Sequence, residues 1–104
     1  MAQPLIWSQE SLEDIEEIAE YISRDSRFYA QQVVEKFFQL AENLAEQPLI
    51  GRIVPEVGSE NIREQFVYSY RVIYQIQPQQ IEIIAILHGK RLLEAVENRI
   101  PTNS

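Results

Sequence analysis

One strand-like segment carries a residue suited to binding an anion. The stretch YSYRVIYQI at residues 68–76 is rich in Tyr, Val and Ile, which favours a β-strand, yet Arg71 lies inside it. An unpaired guanidinium is costly in a hydrophobic core. Arg71 therefore either points to solvent or faces a site that requires a fixed positive charge.

The turn QPQQ at 77–80 predicts which face of the sheet Arg71 occupies. If Ile76 pairs with Ile81 across this turn, the alternation of side chains along a strand places Arg71 on the face away from the helices. His88 then lies diagonal to Arg71 on the same face, within reach of long side chains.

A second pairing extends this face. If Phe66 pairs with Tyr70, Arg63 also lies diagonal to Arg71. Arginines on a polar sheet face suit the recognition of phosphate or carboxylate groups. The predicted anion-recognition face comprises Arg63, Arg71 and His88, with Lys90 and Arg91 following at the end of the strand.

An ordinary exposed face is the alternative for the same residues. Arg71 or Arg63 would then form cross-strand ion pairs with Glu82 or Glu64, and such pairs contribute little to stability at an exposed surface. Spacing alone does not separate this interpretation from a binding face.

Two amphipathic helices and several strands are needed to position this face. Apolar residues recur at helical spacing after Ser8 or Ser11 and again after Ser26, and Pro48 ends the second helix. Strand-like runs occupy 4–7, 61–67, 70–76 and 81–88. Residues 90–100 are compatible with a closing helix. The expected buried positions include Ile15, Ile18, Ile22, Val33, Phe37, Leu44, Val72, Tyr74, Ile83 and Ala85.

These elements predict one domain over residues 1–104 with an α+β fold. A helical hairpin packs on one face of an antiparallel β-sheet, in the order β-α-α-β-β-β with an optional C-terminal helix. The short connections between the last three strands favour an antiparallel meander.

Composition excludes several kinds of site. The 104-residue chain has no cysteine and one histidine, so we expect neither thiolate chemistry nor a histidine-based metal site, and no cofactor. Its formal net charge of -7 argues against tight nonspecific binding to nucleic acid. Residues 1–50 carry ten acids and three bases, whereas residues 51–104 carry six of each. An anion-binding site is therefore expected in the second half.

Targeting signals are not found in the sequence. No apolar run approaches the roughly 20 residues needed to cross a bilayer, and the start MAQPLIWSQES has neither the basic region nor the apolar region of a signal peptide. We therefore expect a cytoplasmic protein without a membrane partner.

The ordered set of motifs resembles the RelE/ParE superfamily of bacterial toxins, the toxic components of type II toxin–antitoxin modules. The resemblance extends from Trp7 to about Arg99 and includes WSQESLEDIEEIAEYI, LAEQPLIGRIVPE, IREQFVYSYRVIYQI and IEIIAILHGKR. The GR-VPE loop, the IRE strand and the HGKR end are more similar to the ParE and plasmid-stabilisation branch than to the RelE branch.

This resemblance implies a fold, a partner and two alternative activities. It implies a helical hairpin on an antiparallel sheet that the N-terminal strand joins, and a cognate antitoxin whose C-terminal segment wraps the toxin. Ribonuclease members cut messenger RNA on the ribosome, whereas ParE-like members are described as inhibiting DNA gyrase. In a nuclease, Arg71 matches the arginine of the YR strand motif and Arg91 the arginine after the last strand, while His88 can act as acid or base.

The match to the nucleases is incomplete. Ile62, Arg63 and Glu64 stand where those enzymes carry lysines, Glu97 stands about where they carry a tyrosine, and the net charge is acidic rather than basic. We therefore prefer a ParE-like toxin that binds a protein target, with gyrase as the first candidate. The alternatives are an mRNA endoribonuclease that uses the three catalytic residues named above, and a toxin-derived protein without toxicity. A homodimer or a toxin–antitoxin hetero-oligomer is compatible with these interpretations.

Overall fold

The computed structural model describes residues 3–89 and 98–100. The predicted helix at 90–100 lies mostly outside these residues. Within them the chain forms two α-helices and five strands, with a turn of 3-10 helix between the second helix and the second strand. In chain order these are β1 Leu5–Trp7, α1 Gln9–Ser23, α2 Arg27–Glu46, the 3-10 turn Pro48–Ile50, β2 Arg52–Ile53, β3 Ile62–Val67, β4 Tyr70–Ile76 and β5 Ile81–His88.

A serine caps the start of each helix. The Ser8 hydroxyl accepts a hydrogen bond from the Ser11 N–H, and the Ser26 hydroxyl accepts one from the Tyr29 N–H, both at 3.1 Å. Each bond satisfies an N–H that the first helical turn leaves without a helical partner. None of the helices described is long and apolar enough to cross a membrane.

The five strands form one mixed sheet in the order β1-β5-β4-β3-β2. The antiparallel meander of β3, β4 and β5 is confirmed, and β2 extends it as a short edge strand. β1 pairs with β5 in parallel, with Leu5 beside Ile81. The predicted α+β class is therefore confirmed, with one parallel pair in an otherwise antiparallel sheet.

The β4–β5 register is as predicted at the turn and changes further along. Ile76 pairs with Ile81 and Tyr74 with Ile83, in one register. Ile73 then pairs with Ala85 instead of Ile84, so Ile84 is an extra residue in β5. One inserted residue reverses the alternation of faces for everything that follows it. Hence Arg71 pairs with Leu87, not with Ile86.

The β3–β4 turn is one residue shorter than predicted. Val67 pairs with Tyr70, and Phe66 pairs with Arg71, so only Tyr68 and Ser69 form the turn. Tyr68 has a φ of 53°, in the left-handed region that two-residue hairpin turns use and that Gly or Asn usually supply. No such residue marks this turn in the sequence, and the predicted β3–β4 register is therefore wrong by one residue.

Apolar side chains are buried on both faces of the sheet. The core between the sheet and the helices contains Phe37 and Leu44 from α2 and Tyr74 and Ile83 from the sheet. All four are fully buried, as predicted. Ala85 is buried as predicted but lies on the opposite face because of the extra residue in β5. The cluster on that opposite face comprises Val54, Ile62, Ile73, Ile84, Ala85, Leu87 and Ile100. The sheet face away from the helices is thus largely covered.

Candidate functional site

Arg71 is buried in an ion-pair network on the face away from the helices. Only 6% of its surface is exposed. Its Nε donates to Glu64 Oε1 at 2.6 Å, and its Nη2 lies 2.5 Å from the same oxygen. Its Nη1 and Nη2 donate to the two carboxylate oxygens of Glu56 at 2.9 and 3.0 Å. Arg71 therefore does not point to solvent, because two carboxylates of the same chain bind its guanidinium.

The network contains a second arginine. The Glu64 side chain is fully buried, and its other oxygen accepts a hydrogen bond from Arg52 Nε at 2.6 Å. The Arg52 guanidinium is mostly exposed and lies 5.6 Å from the centre of the Phe66 ring. We call Arg52, Glu56, Glu64 and Arg71 the Arg71 cluster. Its two positive and two negative charges balance.

The hydrogen bonds of the cluster fix the charge of its members. The Arg71 guanidinium holds the pKa of the Glu56 carboxyl below its usual value. In turn, the hydrogen bond with Glu56 raises the pKa of Arg71 above its already high value. Both side chains are thus ionised throughout the physiological range, and the guanidinium presents its charge to carboxylates of the same chain.

Arg63 lies on the other face of the sheet from Arg71, so the prediction that they share a face is wrong. The shorter β3–β4 turn pairs Arg63 with Tyr74, which faces the helices. Its guanidinium donates to the backbone carbonyls of Gly51 at 3.0 Å and Glu60 at 2.9 Å. It closes the loop before β3 onto the strand. By the same shift, Gln65 pairs with Val72 and faces the helices.

His88 is also separated from Arg71. It pairs with Tyr70 at the end of β5, and the two rings meet edge to face with centroids 5.7 Å apart. Tyr70 packs against the helix-side cluster, so His88 points to that side. The extra residue in β5 is the cause. Lys90 and Arg91 lie outside the described residues, and their predicted role stays a prediction.

A pocket of about 440 Å³ lies where α1 passes the end of β5. We call it the α1–β5 groove. Its lining combines carboxylates, aromatic rings and aliphatic side chains: Asp14, Glu17, Ile18, Tyr21, Tyr70, Ile86, Leu87 and His88. Burial raises the pKa of the Tyr70 hydroxyl. His88, a candidate site residue in the sequence analysis, therefore lies in this groove next to the acidic helix α1.

Side chains from α1 and the C-terminal segment satisfy the backbone around the extra residue of β5. Asp14 Oδ2 accepts from the Ile86 N–H at 2.9 Å and from Arg99 Nη1 at 2.7 Å. The Ser8 hydroxyl donates to the Ile84 carbonyl at 3.2 Å. The hydrogen bond with Asp14 raises the pKa of Arg99. These bonds fix α1 against the strand at the floor of the groove.

Sequence reasoning missed Arg52 and Glu56 of the Arg71 cluster and the role of Asp14, and it considered the Arg71–Glu64 pair only on an exposed face. Strand alternation places Glu64 between Ile62 and Phe66 on one face, which is the signal that could have paired it with Arg71 once the register was known. Glu56 lies in the loop before β3, where no periodic pattern predicts its contact. Across residues 3–89 and 98–100, no group of three or more His, Cys, Asp or Glu side chains is placed to hold a metal ion.

Comparison with known proteins gives the family. Residues 5–93 match the family described as the ParE toxin of the type II toxin–antitoxin system parDE. The chain belongs to this ParE toxin family. The protein Toxin RelE2 of Caulobacter vibrioides is 31% identical over 93 residues, which cover 88% of this chain and all of the relative. The protein is thus a type II toxin–antitoxin toxin of the ParE/RelE superfamily.

Solved structures share the fold. A structure of the chromosomal ParDE system of P. aeruginosa matches with a TM-score of 0.71 at 15% identity, covering 86% of this chain and 98% of that one. A free mutant of the E. coli toxin RelE matches at 0.70 and 17% identity, covering 97% and 100%. The RelBE2 toxin–antitoxin complex of Mycobacterium tuberculosis matches at 0.58 and 17%, covering 85% and 99%. These likenesses place the hairpin and sheet in the RelE/ParE-like fold.

Proposed function

We propose that this ParE-family toxin acts by binding a protein target, with DNA gyrase as the first candidate, and that a cognate antitoxin neutralises it. The observation that carries the proposal is the Arg71 cluster. Arg71 is the residue that the nuclease hypothesis requires as a phosphate stabiliser, and Glu56 and Glu64 already occupy its guanidinium. A cytoplasmic location is part of the proposal.

Cleavage of RNA needs cations that can face the developing negative charge, together with an acid and a base near the same phosphate. In this chain a phosphate at Arg71 would have to displace Glu56 and then lie beside the buried carboxylate of Glu64. His88 lies on the opposite side of the sheet. This arrangement favours binding of a protein over phosphodiester chemistry.

The antitoxin part of the proposal rests on the family and its neighbours. The family is defined by the parDE toxin–antitoxin system, and two of the similar structures come from toxin–antitoxin systems. The same likeness supports a toxin–antitoxin hetero-oligomer as the resting form. A homodimer remains the alternative assembly.

Two assays on one set of proteins test the mechanism. We expect the purified chain to inhibit gyrase supercoiling and the antitoxin to relieve this inhibition. In cells that express the chain, primer extension should find the mRNA uncut. The variant Arg71→Ala removes the proposed nuclease cation, and Arg24→Ala removes an exposed arginine at the end of α1 as a control for the loss of a positive charge.

Each alternative hypothesis has its own result. Codon-phased cuts in mRNA that disappear with Arg71→Ala but persist with Arg24→Ala would replace our proposal with the endoribonuclease. In that case the partners of the chain would be the ribosome and mRNA. Growth unaffected by high expression of the intact chain would instead favour a toxin-derived protein without toxicity.

A further inference from the structure

The α1–β5 groove has the chemistry of a site for a cation with an aliphatic stem. Ile18 and Ile86 give it apolar walls, and Tyr21 and Tyr70 give it aromatic rings. Tyr21 is 67% exposed, so its ring is available to a partner. Aromatic faces attract ammonium and guanidinium groups, and long basic side chains bury their methylenes on apolar surface.

Carboxylates outnumber arginines around the groove in the described part of the chain: Asp14 and Glu17 line it, and Arg99 pairs with Asp14. Its described lining contains two carboxylates and no lysine or arginine. Asp14 is engaged by Arg99 and the Ile86 N–H, whereas Glu17 makes no hydrogen bond or ion pair with the described residues. Four further exposed glutamates lie along α1: Glu10, Glu13, Glu16 and Glu20. A partner that approaches this helix meets a negative field.

We propose that the α1–β5 groove binds a basic, amphipathic segment of the antitoxin, with a Lys or Arg beside Glu17 and Tyr21 and an apolar side chain against Ile18 and Ile86. The proposal rests on the proposed function, since it assumes that an antitoxin exists, and it adds the chemistry of the contact. Opposite charge steers such a segment to α1, and the aromatic and aliphatic lining holds it there.

Selection from a random peptide library displayed on phage tests this chemistry, and the antitoxin itself is not needed for it. The bait is the intact chain. We expect the enriched peptides to carry Lys or Arg next to apolar residues, and their affinity to fall as salt is raised, because the groove is open and its charges are screened. Enrichment of acidic peptides would overturn the proposal.

Two charge reversals of equal size locate the binding. Glu17→Lys lies in the groove, and Glu35→Lys lies on the exposed side of α2, outside the groove lining. We expect Glu17→Lys to weaken an enriched basic peptide at least about tenfold and Glu35→Lys less than about twofold. Equal losses would mean that only the overall charge of the chain attracts the peptide. Tyr21→Ala should weaken binding about threefold or more if the ring contacts the cation.

The failure of this inference differs from the failure of the proposed function. An antitoxin that neutralises the chain through an acidic segment, or that neutralises Glu17→Lys as well as the unchanged protein, would refute the groove assignment and leave the toxin intact. A chain that is harmless to cells but still selects basic peptides at Glu17 would refute the toxin mechanism and leave the chemistry of the groove standing.

Discussion

Replacing Glu64 with Gln tests whether Arg71 is held as a structural cation. The substitution keeps the shape of the side chain and removes its charge from a fully buried position. Three contacts of 2.5 to 2.6 Å link the Glu64 carboxylate to Arg71 and Arg52. Of these partners, Arg71 is the one that cannot turn to water, because its side chain is only 7% exposed.

The magnitude follows from what remains around Arg71. Removing one partner of a buried ion pair costs about 3–5 kcal/mol, because the other charge stays desolvated. Glu56 still accepts two hydrogen bonds from Arg71 in the variant. We therefore expect the lower end of this range, about 3 kcal/mol in the free energy of unfolding, out of the roughly 5–15 kcal/mol typical of a native protein.

Chemical denaturation of the purified chain measures this cost. Glu60→Gln is the matched control, since Glu60 is exposed and uses only its backbone carbonyl in a hydrogen bond. It should change the free energy of unfolding by less than about 0.5 kcal/mol. The double variant Glu64→Leu with Arg71→Met removes both charges and should be more stable than Glu64→Gln.

One result would refute this reasoning. If Glu64→Gln costs less than about 1 kcal/mol, and the effects of removing each charge simply add, the two side chains do not interact strongly in solution. Arg71 would then be hydrated and open to an anion, and the endoribonuclease hypothesis would regain its main residue.

Three further predictions concern the pH dependence, the core and the backbone of β5. The lowered pKa of Glu56 means that its bond stabilises the fold fully above the ordinary Glu range and less as the pH falls. Glu56→Gln should therefore cost about 1 kcal/mol at neutral pH in denaturation curves and progressively less as the pH falls below the ordinary Glu range. Tyr74→Phe removes a hydroxyl that bonds two backbone groups at 2.6 and 3.0 Å, and should cost about 1–3 kcal/mol, against less than about 0.5 for the exposed control Tyr68→Phe. Asp14→Ala should speed hydrogen exchange of the Ile86 amide, read by NMR, because it removes the acceptor of that N–H.

Contrary results would be equally informative. A constant cost of Glu56→Gln across this pH range would mean that the carboxylate does not bond Arg71 in solution. Tyr74→Phe with no cost would indicate that water replaces the hydroxyl, and unchanged exchange at Ile86 would assign its protection to something other than Asp14.

The sequence predicted the fold where its patterns are regular. Apolar residues at helical spacing between two serines and a proline located α1 and α2, and the QPQQ turn gave the Ile76–Ile81 pair correctly. These signals are local, so no tertiary contact was needed to interpret them. The parallel pairing of β1 has no comparable local signal, because the order of strands depends on contacts between distant segments.

The site was predicted less well because it depends on register. His88 and Arg63 do not lie beside Arg71, because Ile84 is an extra residue in β5 and the turn at Tyr68 is shorter than predicted. Neither event is marked by a glycine in β5 or by a Gly or Asn at the turn. The weighed alternative, a pair between Arg71 and Glu64, is present, although it is buried rather than exposed.

The parallel pair of β1 and β5 has a consequence for the order of folding. Leu5 lies beside Ile81, so among the described strands β1 pairs with β5. A nascent chain leaving the ribosome can form the helical hairpin early, because its contacts are local, but β1 cannot pair with β5 until residues 81–83 have emerged. Contacts between such distant parts of a chain are slow to form, because the entropy cost of closing a long loop comes before the contacts stabilise the fold. The completed sheet, and every surface built on β5, therefore belongs to the finished chain and not to its synthesis intermediates.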